Sequence, residues 1–159
     1  MAPAGSTRHV EIEMRVRDIS WFVAVITVTG CAGTPGPGDL GYPYNVEGPY
    51  GGRLMVGEAP FEAMLELRTA RGGRVRGSFS ISAPLEIDGS VNGAVVDDLL
   101  RVTLTYEGTS GGAGRPCEGR VEGILSISAG GEVIDGPVTV TDCGDALPGR
   151  MSLRRTAGR

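Results

Sequence analysis

Apolar and polar residues alternate with a period of two through most of this chain from Gly51 onward. In the run "LRVTLTYEG" (residues 100–108), one side carries Leu100, Val102, Leu104 and Tyr106, and the other side is polar. The runs "FEAMLELR", "GRVRGSFSIS" and "RVEGILSIS" follow the same rule. Successive side chains of a strand point to opposite faces, so this pattern predicts β-strands that bury one face and expose the other.

Turn signals such as Gly72-Gly73, Gly111-Gly112 and Gly130-Gly131 separate the alternating runs. The predicted strands lie near residues 53–57, 61–70, 73–83, 85–95, 99–108, 117–128, 132–142 and 148–155. Their short connections predict an all-β antiparallel meander of about eight strands, which buries its apolar face best by closing into a small up-and-down barrel. A two-sheet sandwich is the competing architecture.

Composition favours the barrel over the sandwich. The chain has 27 glycines in 159 residues, and several, such as Gly77, Gly93 and Gly123, fall on apolar faces, where they allow strands to coil sharply. Eight strands enclose just enough space for mid-sized aliphatic side chains, so a filled interior is favoured, although the glycines also leave room for a ligand. The predicted interior residues are Leu54, Val56, Phe61, Leu65, Phe79, Ile81, Val102, Leu104, Val121, Leu125, Val138, Val140, Met151 and Leu153.

Cys117 and Cys143, the last two of the three cysteines in the chain, are expected to form a disulfide. If Gly130-Gly131 is a two-residue turn, Val121 faces Val140 and the apolar sides of both strands stay together. In that register Cys117 lies opposite Gly144, the residue next to Cys143. A twist or a bulge can bridge an offset of one residue. The same register points Asp142 inward at the mouth of the barrel.

The N-terminal part of the chain predicts export. Residues 19–29 form an apolar run of about a dozen residues, too short to span a hydrocarbon core of about 30 Å. Arg15 and Arg17 precede the run and small residues follow it, which is the pattern of a secretory signal peptide. We assign residues 1–30 to this signal. Translation is expected to start at Met14, because the acidic residues before it neutralise the basic region that a signal requires.

The end of the signal carries a more specific motif. Val28-Thr29-Gly30-Cys31 resembles the lipobox of bacterial lipoproteins. The resemblance implies that Cys31 is the lipid attachment site, that the signal is cut before it, and that the mature chain is held on a membrane of the bacterial cell envelope, facing the periplasm or the cell exterior. The predicted glycine-rich barrel also resembles the small β-barrel lipoproteins of such envelopes. An oxidising compartment agrees with a Cys117–Cys143 bond.

Between anchor and barrel, residues 31–50 are rich in glycine and proline and lack an apolar period, which predicts a tether. Tyr42, Tyr44 and Tyr50 within it are expected to pack on the end of the domain. The barrel domain is predicted over 51–155, followed by a disordered tail over 156–159.

Catalysis is not expected. The chain has one histidine, His9, inside the predicted signal, and all 15 of its basic residues are arginine, so the processed chain lacks the bases of Ser-His-Asp, Cys-His and Ser-Lys sites. No metal or other cofactor is predicted, and the net charge of −4 argues against nucleic acid as a partner. The remaining candidates for acid–base or calcium chemistry are the carboxylates of Asp97, Asp98, Asp135, Asp142 and Asp145, which are more typical of solvated turns.

Two function classes remain. The favoured hypothesis is a structural or protein-interaction role, with a filled barrel that meets an envelope protein partner. The alternative is a lipocalin-like binding module that carries a small apolar ligand.

Overall fold

The computed structural model describes residues 33–83, 86–108 and 117–157. Eight strands make up most of this part of the chain, and short 3-10 turns at Arg71–Gly73 and Ala129–Gly131 join two of the pairs. The strands are β1 (Gly48–Val56), β2 (Ala59–Thr69), β3 (Arg74–Ala83), β4 (Ile87–Val96), β5 (Leu99–Gly108), β6 (Cys117–Ile127), β7 (Val133–Asp142) and β8 (Asp145–Arg155).

The strands form one closed antiparallel barrel in sequence order. Each strand pairs with the next along the chain, and β8 pairs with β1 from Tyr50 opposite Arg155 to Val56 opposite Gly149. The predicted eight-stranded meander and its closure are therefore confirmed, and the sandwich is excluded. The main difference is that β1 begins at Gly48, earlier than the alternation indicated.

The core fills the barrel interior. Every predicted interior residue is buried except Val56 and Phe61, which are half-buried at one end. The core also includes Tyr50 and Val46, both fully buried although they lie in the segment predicted as a tether. Further buried residues are Ala63, Leu67, Val75, Val91, Val95, Leu100, Tyr106, Ile127 and Ile134.

Two glycines on the inner face make room for aromatic rings. The Tyr106 ring lies over Gly119, its partner across β5 and β6, and a Cβ at Gly119 would overlap that ring. Phe79 covers Gly89 on the neighbouring strand in the same way. The two rings meet edge to face with their centroids 6.1 Å apart, so large side chains fit inside a narrow barrel because their neighbours have none.

The β6–β7 hairpin has the predicted register. Val121 lies opposite Val140, and Ile127 lies opposite Ile134. The turn is longer than two residues, because Ser128 and Val133 close it with a backbone hydrogen bond of 2.9 Å. Cys117 and Cys143 form a disulfide, with their Cα atoms 5.3 Å apart. It ties the start of β6 to the turn between β7 and β8.

Residues 36–47, which we call the closing segment, are bound to the barrel. The prediction of a tether over 31–50 is therefore corrected for this segment. The segment lies across the end of the barrel formed by the β2–β3, β4–β5 and β6–β7 turns. The Thr69 hydroxyl donates to the Val46 carbonyl (2.7 Å), and the Tyr42 hydroxyl donates to the Asp97 carbonyl (3.0 Å). The Gly130 amide donates to the Pro43 carbonyl (2.8 Å). Glycine and proline here make turns that fold the chain back onto the barrel rather than a spacer.

The predicted packing of the tyrosines is confirmed and extended. Tyr42 and Tyr44 pack against the core at the closed end, whereas Tyr50 lies inside the barrel. The Tyr50 hydroxyl donates to the Gly131 carbonyl (2.6 Å) and accepts from an Nη of Arg155 (3.0 Å). The same guanidinium donates to the carbonyls of Gly131 (3.1 Å) and Asn45 (3.3 Å). This network joins the closing segment to β1, β8 and the β6–β7 turn.

All eight strand ladders, the core, the disulfide and the closing segment belong to one compact unit, Gly33–Arg159. The strand ladders, core and disulfide of the described residues therefore all lie within this unit. Of the predicted disordered tail, Thr156 donates its amide to the Pro49 carbonyl (2.9 Å), and residues 158–159 lie outside the described residues. The signal over 1–30 and the lipobox cysteine, Cys31, also lie outside them. No helix in the part of the chain that the structure describes is long and apolar enough to cross a membrane.

Candidate binding site at the open end of the barrel

Opposite the closing segment, the barrel interior opens into an apolar cavity, which we call the mouth. Each of the eight strands contributes at least one side chain to it, because no packed layer of described residues covers the inward positions nearest this end. The cavity volume is about 190 Å³. The lining residues are Leu54, Val56, Phe61, Ile81, Ile87, Tyr106, Val121, Val140, Asp142 and Leu147.

The size of the mouth limits what it can hold. Pockets for drug-sized ligands measure about 300–1,000 Å³, whereas an apolar cavity of about 150 Å³ holds a benzene molecule. The mouth is therefore suited to one ring or a short branched alkyl group. Depressions of about 460 Å³ and about 300 Å³ lie between strands on the outer surface, but outward residues such as Glu107 and Ser78 line them and they are more open to solvent than the mouth.

Asp142 supplies a carboxylate at the rim of the mouth. It pairs with Gly119 across β6 and β7, so the predicted inward orientation is confirmed. Burial raises the pKa of the nearby Tyr106 hydroxyl, and the charge of Asp142 raises it further. Tyr106 therefore stays protonated at neutral pH, and the rim combines a hydroxyl and a carboxylate above an apolar floor. A few polar groups of this kind orient a ligand in an otherwise apolar site.

The carboxylate of Asp142 also lies near the disulfide. One ligand atom from each of Cys117, Asp142 and Cys143 falls within a group 4.8 Å across. A metal ion would need thiolate ligands from the cysteines, and both sulfurs are bonded to each other. This cluster therefore offers a metal one carboxylate and does not fit a metal centre.

The other candidate carboxylates are spread over the surface. Asp97 and Asp98 are exposed in the β4–β5 turn at the closed end, and Asp135 on β7 forms an ion pair with Arg150. Asp145 is exposed on β8, opposite Asp142 in the ladder. Of these five predicted residues, Asp142 alone lines the mouth. The apolar lining from β4 and β8, Ile87 and Leu147, was missed because each lies beside a turn, where the alternation is too short to assign a face.

The fold and the mouth define a class: a small, filled, antiparallel eight-stranded barrel that is closed at one end and apolar at the other. None of the family models, the curated proteins or the solved structures with which the chain was compared matches it.

Proposed function

We propose that this protein is an exported, lipid-anchored protein of the bacterial envelope whose barrel binds a small apolar group in its mouth. The observation that carries the binding role is the apolar cavity of about 190 Å³ to which all eight strands contribute. Below the mouth the barrel is filled by side chains such as Leu104, Leu125 and Met151. The ligand is therefore a ring or a branched alkyl group held at one end, and a long chain threaded through the barrel is disfavoured.

The anchoring role rests on the sequence. A basic and then apolar segment leads to Val28-Thr29-Gly30-Cys31, and a Cys117–Cys143 disulfide suits an exported protein. The outward strand positions are largely polar, as at Glu62 and Glu66. The acyl chains on Cys31 would thus supply the membrane attachment. Cys31→Ser is expected to release the protein from the membrane fraction, and full retention of this variant would refute the anchor.

The mouth can be tested with toluene, which matches its size. Toluene added to residues 33–159 is expected to shift the methyl NMR signals of mouth residues such as Val121 and Ile81, leaving those of Ile134 near the closed end unchanged. Val140→Trp fills the mouth and should abolish the shifts. Thr139→Trp is the matched control, because Thr139 is exposed on the outer face of the same strand. Equal toluene binding by both variants, or none by the unsubstituted protein, would refute the site.

A protein partner is the second candidate for the mouth. Leu147 lies on the rim and is 53% exposed, so apolar surface extends beyond the cavity. A partner that inserts one apolar side chain would cover both. In that case Leu147→Ser should weaken capture of the partner in the envelope while leaving the toluene-induced shifts in place.

A further inference from the structure

Four arginines share one outer face of the barrel near its closed end. Arg68 on β2 lies directly opposite Arg76 on β3. Arg74 on β3 and Arg101 on β5 both lie opposite Ala94, one on each side of β4. All four side chains are exposed. Neighbouring strands are about 4.8 Å apart, so Arg68 and Arg76 lie within one Debye length of about 8 Å at physiological salt. Arg101 lies three strands from Arg68, or about 14 Å across the sheet, and extends the positive surface. We call this surface the arginine face.

The arginine face has the opposite charge to the protein as a whole. The chain carries a formal net charge of −4, yet most outward positions beside these arginines are uncharged, at Ala70, Ala94, Asn92 and Thr103. Exposed carboxylates nearby include Glu66, two positions before Arg68 on β2, and Glu47, next to the Gly48–Leu67 pair. Among the residues that the structure describes, no carboxylate lies within 4.0 Å of the four guanidinium groups; the ion pairs there involve other arginines. Like charges directly opposite each other destabilise a ladder, so an anion bound between Arg68 and Arg76 would relieve their repulsion.

The chain enters the barrel unit beside this face. Gly38 packs on Ala70 and Arg71 in the β2–β3 turn, and the Arg71 Nε lies 3.8 Å from the Asp39 carboxylate. Leu40, the next residue, is 100% exposed. Cys31 precedes Gly38 by seven positions in the sequence, so at most about 25 Å of extended chain separates an acyl chain on Cys31 from the contact of Gly38 with the β2–β3 turn. Arginines together with an exposed leucine are typical of surfaces that bind anionic membranes.

We propose that the arginine face binds the anionic headgroups of the membrane in which Cys31 is anchored. The choice of a membrane as the partner rests on the proposed lipid anchor at Cys31. The positive charge of the face is observed independently of that anchor. Arg68, Arg74, Arg76 and Arg101 contact headgroup phosphates, and Leu40 enters the interface beside them. One or more acyl chains and a basic surface then act as two membrane signals, and the mouth at the opposite end of the barrel stays accessible to ligand.

The test uses residues 33–159, which hold the entire barrel and carry no acyl chain, so that its outcome is independent of the anchor. Flotation compares vesicles of phosphatidylglycerol with vesicles of phosphatidylcholine. Binding is expected on phosphatidylglycerol alone and is expected to disappear as salt shortens the Debye length from about 10 Å at 0.1 M to about 3 Å at 1 M. Arg68→Gln with Arg76→Gln should lower the partition coefficient about fivefold for each arginine removed.

The control, Arg53→Gln with Arg154→Gln, removes the same number of arginines elsewhere on the outer surface. Since both double variants have the same net charge, the control should lower the partition coefficient much less than Arg68→Gln with Arg76→Gln does. Urea unfolding of each variant verifies that the barrel is intact. Equal binding to both vesicle types, or equal losses in the two double variants, would overturn the proposal. Binding to soluble polyphosphate without binding to vesicles would assign the face to a free polyanion and would also overturn it. Release of the full-length Cys31→Ser protein from membranes washed at 1 M salt, which suppresses binding by the arginine face, tests the anchor separately.

Discussion

Tyr50→Phe tests whether the hydrogen-bond network at the closed end stabilises the barrel. The substitution keeps the ring, which is fully buried and lies 5.5 Å from the Arg155 guanidinium. It removes one hydroxyl, which donates to the Gly131 carbonyl and accepts from Arg155. Any loss of stability therefore reports on these two hydrogen bonds, since the volume of the core hardly changes.

The expected magnitude follows from the partners that remain. A neutral hydrogen bond contributes about 1 kcal/mol, and one from a charged group contributes about 1.5–3 kcal/mol. Neither partner of Tyr50 becomes unpaired, because Arg155 still donates to the carbonyls of Gly131 and Asn45. The full penalty of a buried, unsatisfied group is thereby avoided. We expect Tyr50→Phe to lower the free energy of unfolding by about 2 kcal/mol.

Urea unfolding at equilibrium, followed by circular dichroism, measures this difference. Tyr44→Phe is the matched control: Tyr44 packs edge to face on Tyr42 with ring centroids 5.8 Å apart, and its hydroxyl has no hydrogen bond within the described residues. The control should change the free energy of unfolding by less than about 0.5 kcal/mol. A Tyr50→Phe effect as small as the Tyr44→Phe effect would refute the stabilising role of the network.

Three further predictions concern the open end. Cys117→Ser combined with Cys143→Ser should lower the free energy of unfolding by about 3 kcal/mol, because the bond closes a loop of 26 residues; urea unfolding should show no such loss if the bond does not form. Gly119→Ala should destabilise the barrel by about 1–3 kcal/mol and displace the Tyr106 ring, so that toluene no longer shifts the mouth signals. Burial, and then the charge of Asp142, raise the pKa of Tyr106 above 10, so the unfolded chain loses this proton first. Stability should therefore fall as pH rises above about 10. Tyr106→Phe should reduce that fall in alkaline urea titrations, and the remainder comes from Tyr50, whose pKa burial also raises.

The strand pairing could be predicted from the sequence because a shift of one residue would turn every apolar side chain outward. The pairing of Val121 with Val140 is the clearest case: it follows from the alternation even though the turn itself is longer than predicted. The same register places Asp142 at the mouth. Predictions of this kind succeed where one face of a long strand is buried.

The closing segment could not be predicted because its contacts are with distant residues. Val46 and Tyr50 are buried by turns that follow them by many positions, and no local period marks them. The arginine face required the closed barrel for a similar reason. Arg74 and Arg76 are recognisable as outward residues in the sequence, but only the ladder through Ala94 brings Arg101 beside them.

The pairing of β1 with β8 has a consequence for the order of folding. Seven ladders join consecutive strands, whereas this one joins Tyr50 to Arg155, which are 105 positions apart (155 − 50). Loop-closure entropy grows as (3/2)RT ln n, so forming this ladder first, from an unfolded chain, would cost about 3 kcal/mol more than forming a tight hairpin. Contacts of such long range slow folding, so we expect the ladder that turns a curved sheet into a barrel to form after the seven hairpin ladders. Tyr50 and Arg155 at the end of this ladder are also joined by a side-chain hydrogen bond. The network at the closed end therefore adds side-chain contacts to the pairing of β1 with β8.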